Sequence, residues 1–228
     1  MILTDEIRCF SVSSALPPEK IKTYREYWAL AVLKYSFEEK YSKLHKAESP
    51  DLQDDDGELG VEVTSGISPC DEIISGENYK YTHAKSEVDK MVCIEKIKKA
   101  GGDRSGIGIS YPVSTSEKDR LNIINVFKKK VIKADSYKKK FRKIGLSIII
   151  DIPIFFFDDK EWANWLMDIN CGKYDFVAII HDFGVDVYDF KESTYYSGRI
   201  PREDMDALKR LARMATEEII KDDNTVWY

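Results

Sequence analysis

The chain has few of the residues that staple or punctuate small folds. Its 228 residues include four cysteines (Cys9, Cys70, Cys93, Cys171) with at least 22 residues between neighbours and no C-x-x-C pair. That excludes a disulfide frame and a zinc cluster of paired cysteines, and predicts buried, unpaired thiols in a reducing compartment. Three histidines (His45, His83, His181) sit in no local pattern that would pair one with a nucleophilic cysteine. With 12 Gly and 7 Pro, collagen-like and linker-type chains are excluded. The longest nearly apolar run, 146–157, contains Asp151 and Pro153 and is too short to span a bilayer. Residues 1–8 show no basic stretch leading into an apolar one. The expectation is therefore no signal peptide, no membrane partner and a cytoplasmic location.

Apolar residues make up 43% of the chain and 10 Phe, 13 Tyr and 4 Trp are present, enough for a real core. The length suits one domain with some elaboration. Charge is segregated. Residues 48–62 carry seven acids (Glu48, Asp51, Asp54, Asp55, Asp56, Glu58, Glu62) and no base. Residues 128–143 carry nine bases (Lys128, Lys129, Lys130, Lys133, Lys138, Lys139, Lys140, Arg142, Lys143) against Asp135 alone. A basic strip of this kind is either a solvated helix face or a surface that meets phosphates.

Periodicity gives the outline. Pro17-Pro18-Glu19 opens a helix predicted to run to about Lys46, with Tyr24, Trp28, Ala31, Val32 and Tyr35 on one stripe and Glu39 continuing it. Residues 51–64 read as a hairpin with Asp56-Gly57 as its turn pair. That register sets Asp54 against Leu59, Gln53 against Gly60, Leu52 against Val61, and Asp51 against Glu62. Like charges on facing positions repel, and a cation is a common remedy. Residues 66–117 form an elaboration with a helix at 86–99 (Val88, Met91, Val92, Ile94, Ile97 inward), a flexible glycine loop at 101–108, and a short strand at 107–113. A second long helix spans 117–142, with Ile123, Phe127, Lys130, Ala134, Tyr137 and Phe141 on one face. Then come a strand at 146–152 buried on both sides, a helix at 159–167 with Trp162 and Trp165 in the core, and a strand at 174–180. A half-exposed strand at 184–190 and a closing helix at 201–221 follow, the helix with Met205, Leu208, Leu211, Ala212, Ala215 and Ile219 inward. This order makes a single mixed α/β domain.

The window 51–62 also resembles an EF-hand loop, but Gly57 falls seventh where the sixth place needs it, and Glu58 stands where an apolar residue belongs, so this reading is rejected. The glycines at 101–108 lack the G-K-[ST] of a phosphate loop. Ser49-Pro50-Asp51-Leu52-Gln53 followed by Gly60-Val61-Glu62-Val63-Thr64 resembles the P-D…(D/E)-x-K motif of the restriction-endonuclease-like nuclease superfamily, over roughly 20–190. The resemblance implies a mixed sheet flanked by helices and a metal-dependent endonuclease acting on nucleic acid, DNA in the first instance. Asp51 and Glu62 would hold Mg²⁺ or Mn²⁺, with help from the Val63 carbonyl and from Glu39 as a first-helix acid. Thr64 stands where the motif has lysine. Lys130, with Lys133 as second choice, would supply that charge from the following helix, and Lys128, Lys129 and Lys133 would meet backbone phosphates. Many nucleases of this fold form a homodimer to cut both strands. The alternative is a catalytically inactive module of the same fold that binds nucleic acid or a protein partner.

Overall fold

The computed structural model describes residues 3–12, 15–105, 108–112, 116–150 and 159–220. A short helix α1 (Asp5–Cys9) and a 3₁₀ turn (Pro18–Lys20) lead into α2 (Ile21–Ser36). One further turn, α3 (Glu38–Tyr41), precedes strands β1 (His45–Lys46), β2 (Leu52–Gln53) and β3 (Leu59–Ser65). A helical pair follows, α4 (Pro69–His83) and α5 (Glu87–Lys99), with the hairpin β4 (Asp103–Ser105) and β5 (Gly108–Ser110). Helices α6 (Ser116–Val131) and α7 (Ala134–Tyr137) return the chain to β6 (Lys143–Ile149). The chain then continues through α8 (Asp159–Asn170), β7 (Phe176–His181), β8 (Gly184–Asp189), β9 (Thr194–Arg199) and α9 (Arg202–Thr216).

Seven strands form one mixed sheet in the order β1-β2-β3-β6-β7-β8-β9, while β4 and β5 stand apart as a two-stranded ribbon. The central trio β3, β6 and β7 runs parallel, and each flank is antiparallel. Parallel strands need crossovers, and the two long connections carry helices that cover the sheet. One face packs against α2 and α9 through residues such as Leu30, Leu33, Val61, Val63, Val187 and Leu208. The other packs against α6 and α7 through Ile123, Phe127, Tyr137, Leu146 and Ile148. Fully burying a side chain like Phe127, with none of its surface exposed, contributes about 2–3 kcal/mol, so the two apolar layers fix the sheet between them. Among the described residues no helix is long and apolar enough to cross a membrane.

The hairpin register of the sequence reading is the one observed: Leu52 pairs with Val61 and Gln53 with Gly60. The turn differs. Asp56 does not have positive φ, whereas Gly57 has φ +71°, so this is not the two-residue mirror-image turn. Instead the Asp54 N–H donates to Leu59 O at 3.1 Å, closing a four-residue loop, and the Asp54 carboxylate accepts from the Glu58 N–H at 3.0 Å. A two-residue loop at 56–57 and a four-residue loop at 55–58 share one centre, so both give the same register.

Other expectations need correction. The first long helix breaks at Phe37 (φ −145°, ψ 59°), whose ring stacks edge-on against Tyr196. The chain beyond it makes one turn and then β1, which places Glu39 in solvent. The second breaks after Val131, where Ser136 Oγ donates to the Lys133 carbonyl. A serine hydroxyl that bonds local backbone competes with the helix ladder. On α5 only Cys93 and Ile97 are buried; Val88, Met91 and Val92 are exposed. Helix α4 and strand β9 were not foreseen. Strand β8 is buried throughout rather than half-exposed, Ile219 is exposed, and Trp165 stacks under the Arg120 guanidinium instead of filling the core. The cysteines are all free, but Cys9 and Cys171 are exposed. The Trp162 side chain and positions 151–152 lie outside the described residues.

Candidate functional site

The site arises where β2 parts from β3. Pairing ends at Leu52 and Val61, and the next residue back, Asp51, uses its side chain in place of a strand partner: Oδ2 accepts the Val63 N–H at 2.8 Å. A strand residue presents its N–H and C=O to the same edge, so the Val63 carbonyl also faces this notch. Gly60 lets the two segments close. A Cβ there would meet Pro50 Cγ at 2.7 Å and the Phe141 ring at 3.0 Å. Pro50 therefore lies flat over β3, which brings Ser49 and Asp51 beside Glu62.

The resulting hollow, about 470 Å³, is lined by Asp51, Glu62, Glu26, Lys22, Lys46, Lys130, Lys133 and Tyr137 among others. Four acids line it; Asp51, Glu62 and Glu26 are nearly sequestered, exposing 6%, 3% and 4% of their surface, while Glu48 is exposed. Each of the three buried ones has a cationic partner. Lys130 Nζ is 2.6 Å and Lys133 Nζ 3.3 Å from Glu62 Oε1, and the Tyr137 hydroxyl donates to Glu62 Oε2 at 2.5 Å. Lys46 Nζ is 3.1 Å from Glu26 Oε2. Lys22 Nζ bridges the remaining pair, 3.3 Å from Asp51 Oδ1 and 3.2 Å from Glu26 Oε1.

These partners push the two facing carboxyls apart in acidity. Burial pushes Asp51 up, and the neighbouring Glu62 and Glu26 charges add to it; the Val63 N–H and Lys22 pull the other way without prevailing. Burial pushes Glu62 up as well, but hydrogen bonds from Lys130 and Tyr137 outweigh it and hold that carboxyl below the usual glutamate range. Burial and the bond to Glu62 keep the Tyr137 phenol protonated well above its ordinary value. The two carboxylates thus divide into one more easily protonated and one held ionised.

The structure brings Asp51, Glu62, Lys130 and Lys133 together at this hollow; Val63, whose N–H bonds to Asp51, lines the adjoining one. It does not bring Glu39. That residue is exposed on α3 and lines a different hollow of about 500 Å³, with Lys40, Arg142 and Lys143. The acid from the first long helix is Glu26, one turn into α2 and buried with the eight residues that follow it. Lys128 and Lys129 are exposed on α6 beyond the hollow. The basic strip is not one surface either, since Arg142 pairs with Glu58 at 3.1 Å and Lys143 with Asp189 at 2.8 Å, in the hollow around Glu39. Thr64 does not enter the carboxylate hollow; it lines an adjoining one.

Among the described residues no group of three or more His, Cys, Asp or Glu side chains is arranged as a ready-made metal cluster. The donor set nonetheless suits a hard cation held by few protein ligands. It consists of carboxylate oxygens, as Mg²⁺ prefers, and Mg²⁺ usually keeps several waters. The Lys22 ammonium marks where positive charge is wanted, and it is removable, because that side chain is 77% exposed. No protein-family model, curated protein or solved structure matches the chain.

Proposed function

We propose that the chain is a metal-dependent nuclease of the restriction-endonuclease-like type, hydrolysing phosphodiester bonds of DNA. The observation that carries this reading is the convergence of two buried carboxylates, Asp51 and Glu62, on one hollow where β2 parts from β3, with Lys130 2.6 Å from Glu62. Asp51, Glu62 and the Val63 carbonyl would hold Mg²⁺ or Mn²⁺, and Glu26 would reach it through water. Such an ion supplies the charge that acidifies a ligated water and offsets charge building on the phosphate. The protein groups do the rest. Glu62, held below the usual glutamate range by Lys130 and Tyr137, would offer an ionised carboxylate to the ion or to its water. Lys130 and Lys133 lie beside it, so a phosphate drawn to the hollow meets two ammonium groups. In that arrangement Lys130 replaces the lysine that Thr64 lacks. Lys128 and Lys129, exposed on the same helix, extend the positive surface for backbone phosphates.

A second reading has a specific observation behind it. Each of the three buried carboxylates of the hollow already has an ammonium partner, so these charges are offset without metal. That favours an inactive module of the same architecture that binds nucleic acid. The two readings part on melting in EDTA and in Mn²⁺. A nuclease gains stability from the ion as ligand binding requires, about 2.7 kcal/mol at a hundredfold excess over Kd, and Glu62→Gln abolishes the gain. A binding module melts at one temperature in both buffers.

A further inference from the structure

The carboxylate hollow continues into a second of about 330 Å³, and Lys22, Glu26 and Lys130 line both. The second has a different lining. Lys22 and Arg25 border it from α2, Lys130 from α6, and Thr64 and Ser65 from the end of β3. Strand β2 has already ended here, so the edge of β3 is uncovered. Ser65 lies two residues after Val63 and presents its backbone N–H to the same edge. Three cations, Lys22, Arg25 and Lys130, border a space that opens directly from the carboxylates, together with Thr64, Ser65 and the acids Glu26 and Glu72. Arg25 is the least exposed of the exposed-tip cations here, at 20%, with Nη1 held 2.9 Å from Glu72 Oε1 on α4; the glutamate itself is 44% exposed. The guanidinium is thus aimed by a partner that solvent and ligands can reach. A planar fork of donors suits bidentate binding of a phosphate better than an ammonium does.

We infer that this second hollow is a phosphate subsite, taking the DNA phosphodiester adjacent to the one at the carboxylates. Arg25 is its main ligand, and Glu72 holds Arg25 in place until DNA displaces it. The inference rests on the nuclease reading and adds to it which way the bound strand runs: from the carboxylates past Thr64 and Ser65 toward α4. It also gives Thr64 a use, since a small hydroxyl there leaves the passage open where a lysine would fill it.

The test is fluorescence anisotropy of a short labelled DNA duplex in EDTA, where nothing is cut, titrated between about 50 and 200 mM NaCl. Arg25→Ala is expected to weaken binding about tenfold and to lower the slope of log K against log salt by about one, with the Mn²⁺ melting response unchanged. Arg25→Lys restores the slope but not the full affinity, and Glu72→Gln tightens binding by freeing the guanidinium. Wild-type affinity and slope in Arg25→Ala would overturn the subsite and leave the carboxylate site standing. An equal loss in Arg25→Ala and Arg25→Lys, with both melting low, would make Arg25 a structural strut and overturn it too. Failure of the wild type to bind the duplex at any salt would overturn both the subsite and the nuclease reading.

Discussion

Replacing Asp51 with asparagine is expected to stabilise the metal-free protein. Asparagine keeps the shape and still offers an oxygen to the Val63 N–H, so the 2.8 Å bond that shapes the notch survives. Two favourable contributions weaken. The pair with Lys22, whose side chain is 77% exposed, contributes at most about 1 kcal/mol. The ionic part of the N–H bond contributes about 1 kcal/mol more. Against them stands the cost of holding a charge at 6% exposure beside two other carboxylates, several kcal/mol for a group so desolvated. The raised pKa of Asp51 says which side wins. A net gain of about 1 kcal/mol corresponds to roughly 2–4 °C in Tm for a chain of this size. The sign with pH follows. Where the folded protein still holds the Asp51 proton and the unfolded chain has lost it, wild-type stability falls as pH rises. This begins near the ordinary aspartate value of 3.8 and ends above the raised folded value. The advantage of Asp51→Asn should therefore be absent at the most acidic pH and full at neutral pH. Glu62 titrates in both proteins and largely cancels from the difference. Urea or thermal melts of both proteins in EDTA across this range measure it. A variant that melts below wild type at neutral pH, or a difference that ignores pH, would refute the reasoning.

Three further outcomes are expected. Glu26→Gln should weaken the Mn²⁺-induced rise in Tm whereas Glu39→Gln should leave it intact, because only Glu26 lies in the carboxylate hollow. Tyr137→Phe removes the 2.5 Å bond to Glu62 and should cost about 1 kcal/mol in a urea melt. It should also move the acid limb of any cleavage profile to higher pH, since Glu62 loses one of the donors that keep it ionised. Asp186 is pushed up by burial but held below the aspartate range by bonds from His181 at 3.1 Å and Tyr195 at 2.8 Å. The stability it brings is present above the unfolded aspartate pKa and lost as pH falls through the folded value. Asp186→Asn should thus cost about 1–3 kcal/mol at neutral pH and markedly less in acid, read from urea melts.

The hairpin was legible because its pairing is symmetric about Asp56 and Gly57: any loop with that centre puts Leu52 against Val61 and Asp51 near Glu62. The inward place of Lys130 was legible because its α6–α7 face is otherwise apolar, and a lone charge on such a face has to find a partner. Glu26 was not legible from periodicity. Helix α2 is buried on all sides from Glu26 to Lys34, so there is no polar face against which a buried acid stands out. Glu39 followed the stripe of Tyr35 only as long as the helix was assumed unbroken, and the break at Phe37 depends on Tyr196, distant in sequence. Helix α4 left a readable signal in Ser68-Pro69-Cys70-Asp71-Glu72: a capping serine whose Oγ accepts from the Asp71 N–H at 3.1 Å, a proline at the first position, and acids in the first turn. Strand β9, with no buried residue and with Tyr, Ser and Gly in its middle, has too little apolar contrast to declare itself. The split of the basic strip could not be read from composition, because it depends on where the chain turns after Tyr137.

The most direct measurement is cleavage of plasmid DNA, single-stranded DNA and RNA in Mg²⁺, Mn²⁺ or EDTA, comparing wild type with Glu62→Gln at matched folded concentration. The expected result is cutting of DNA by the wild type that needs the divalent ion and disappears in the variant. Cutting that persists in EDTA, or that survives in Glu62→Gln, would contradict the assignment of the Asp51 and Glu62 hollow as the seat of a metal-dependent nuclease.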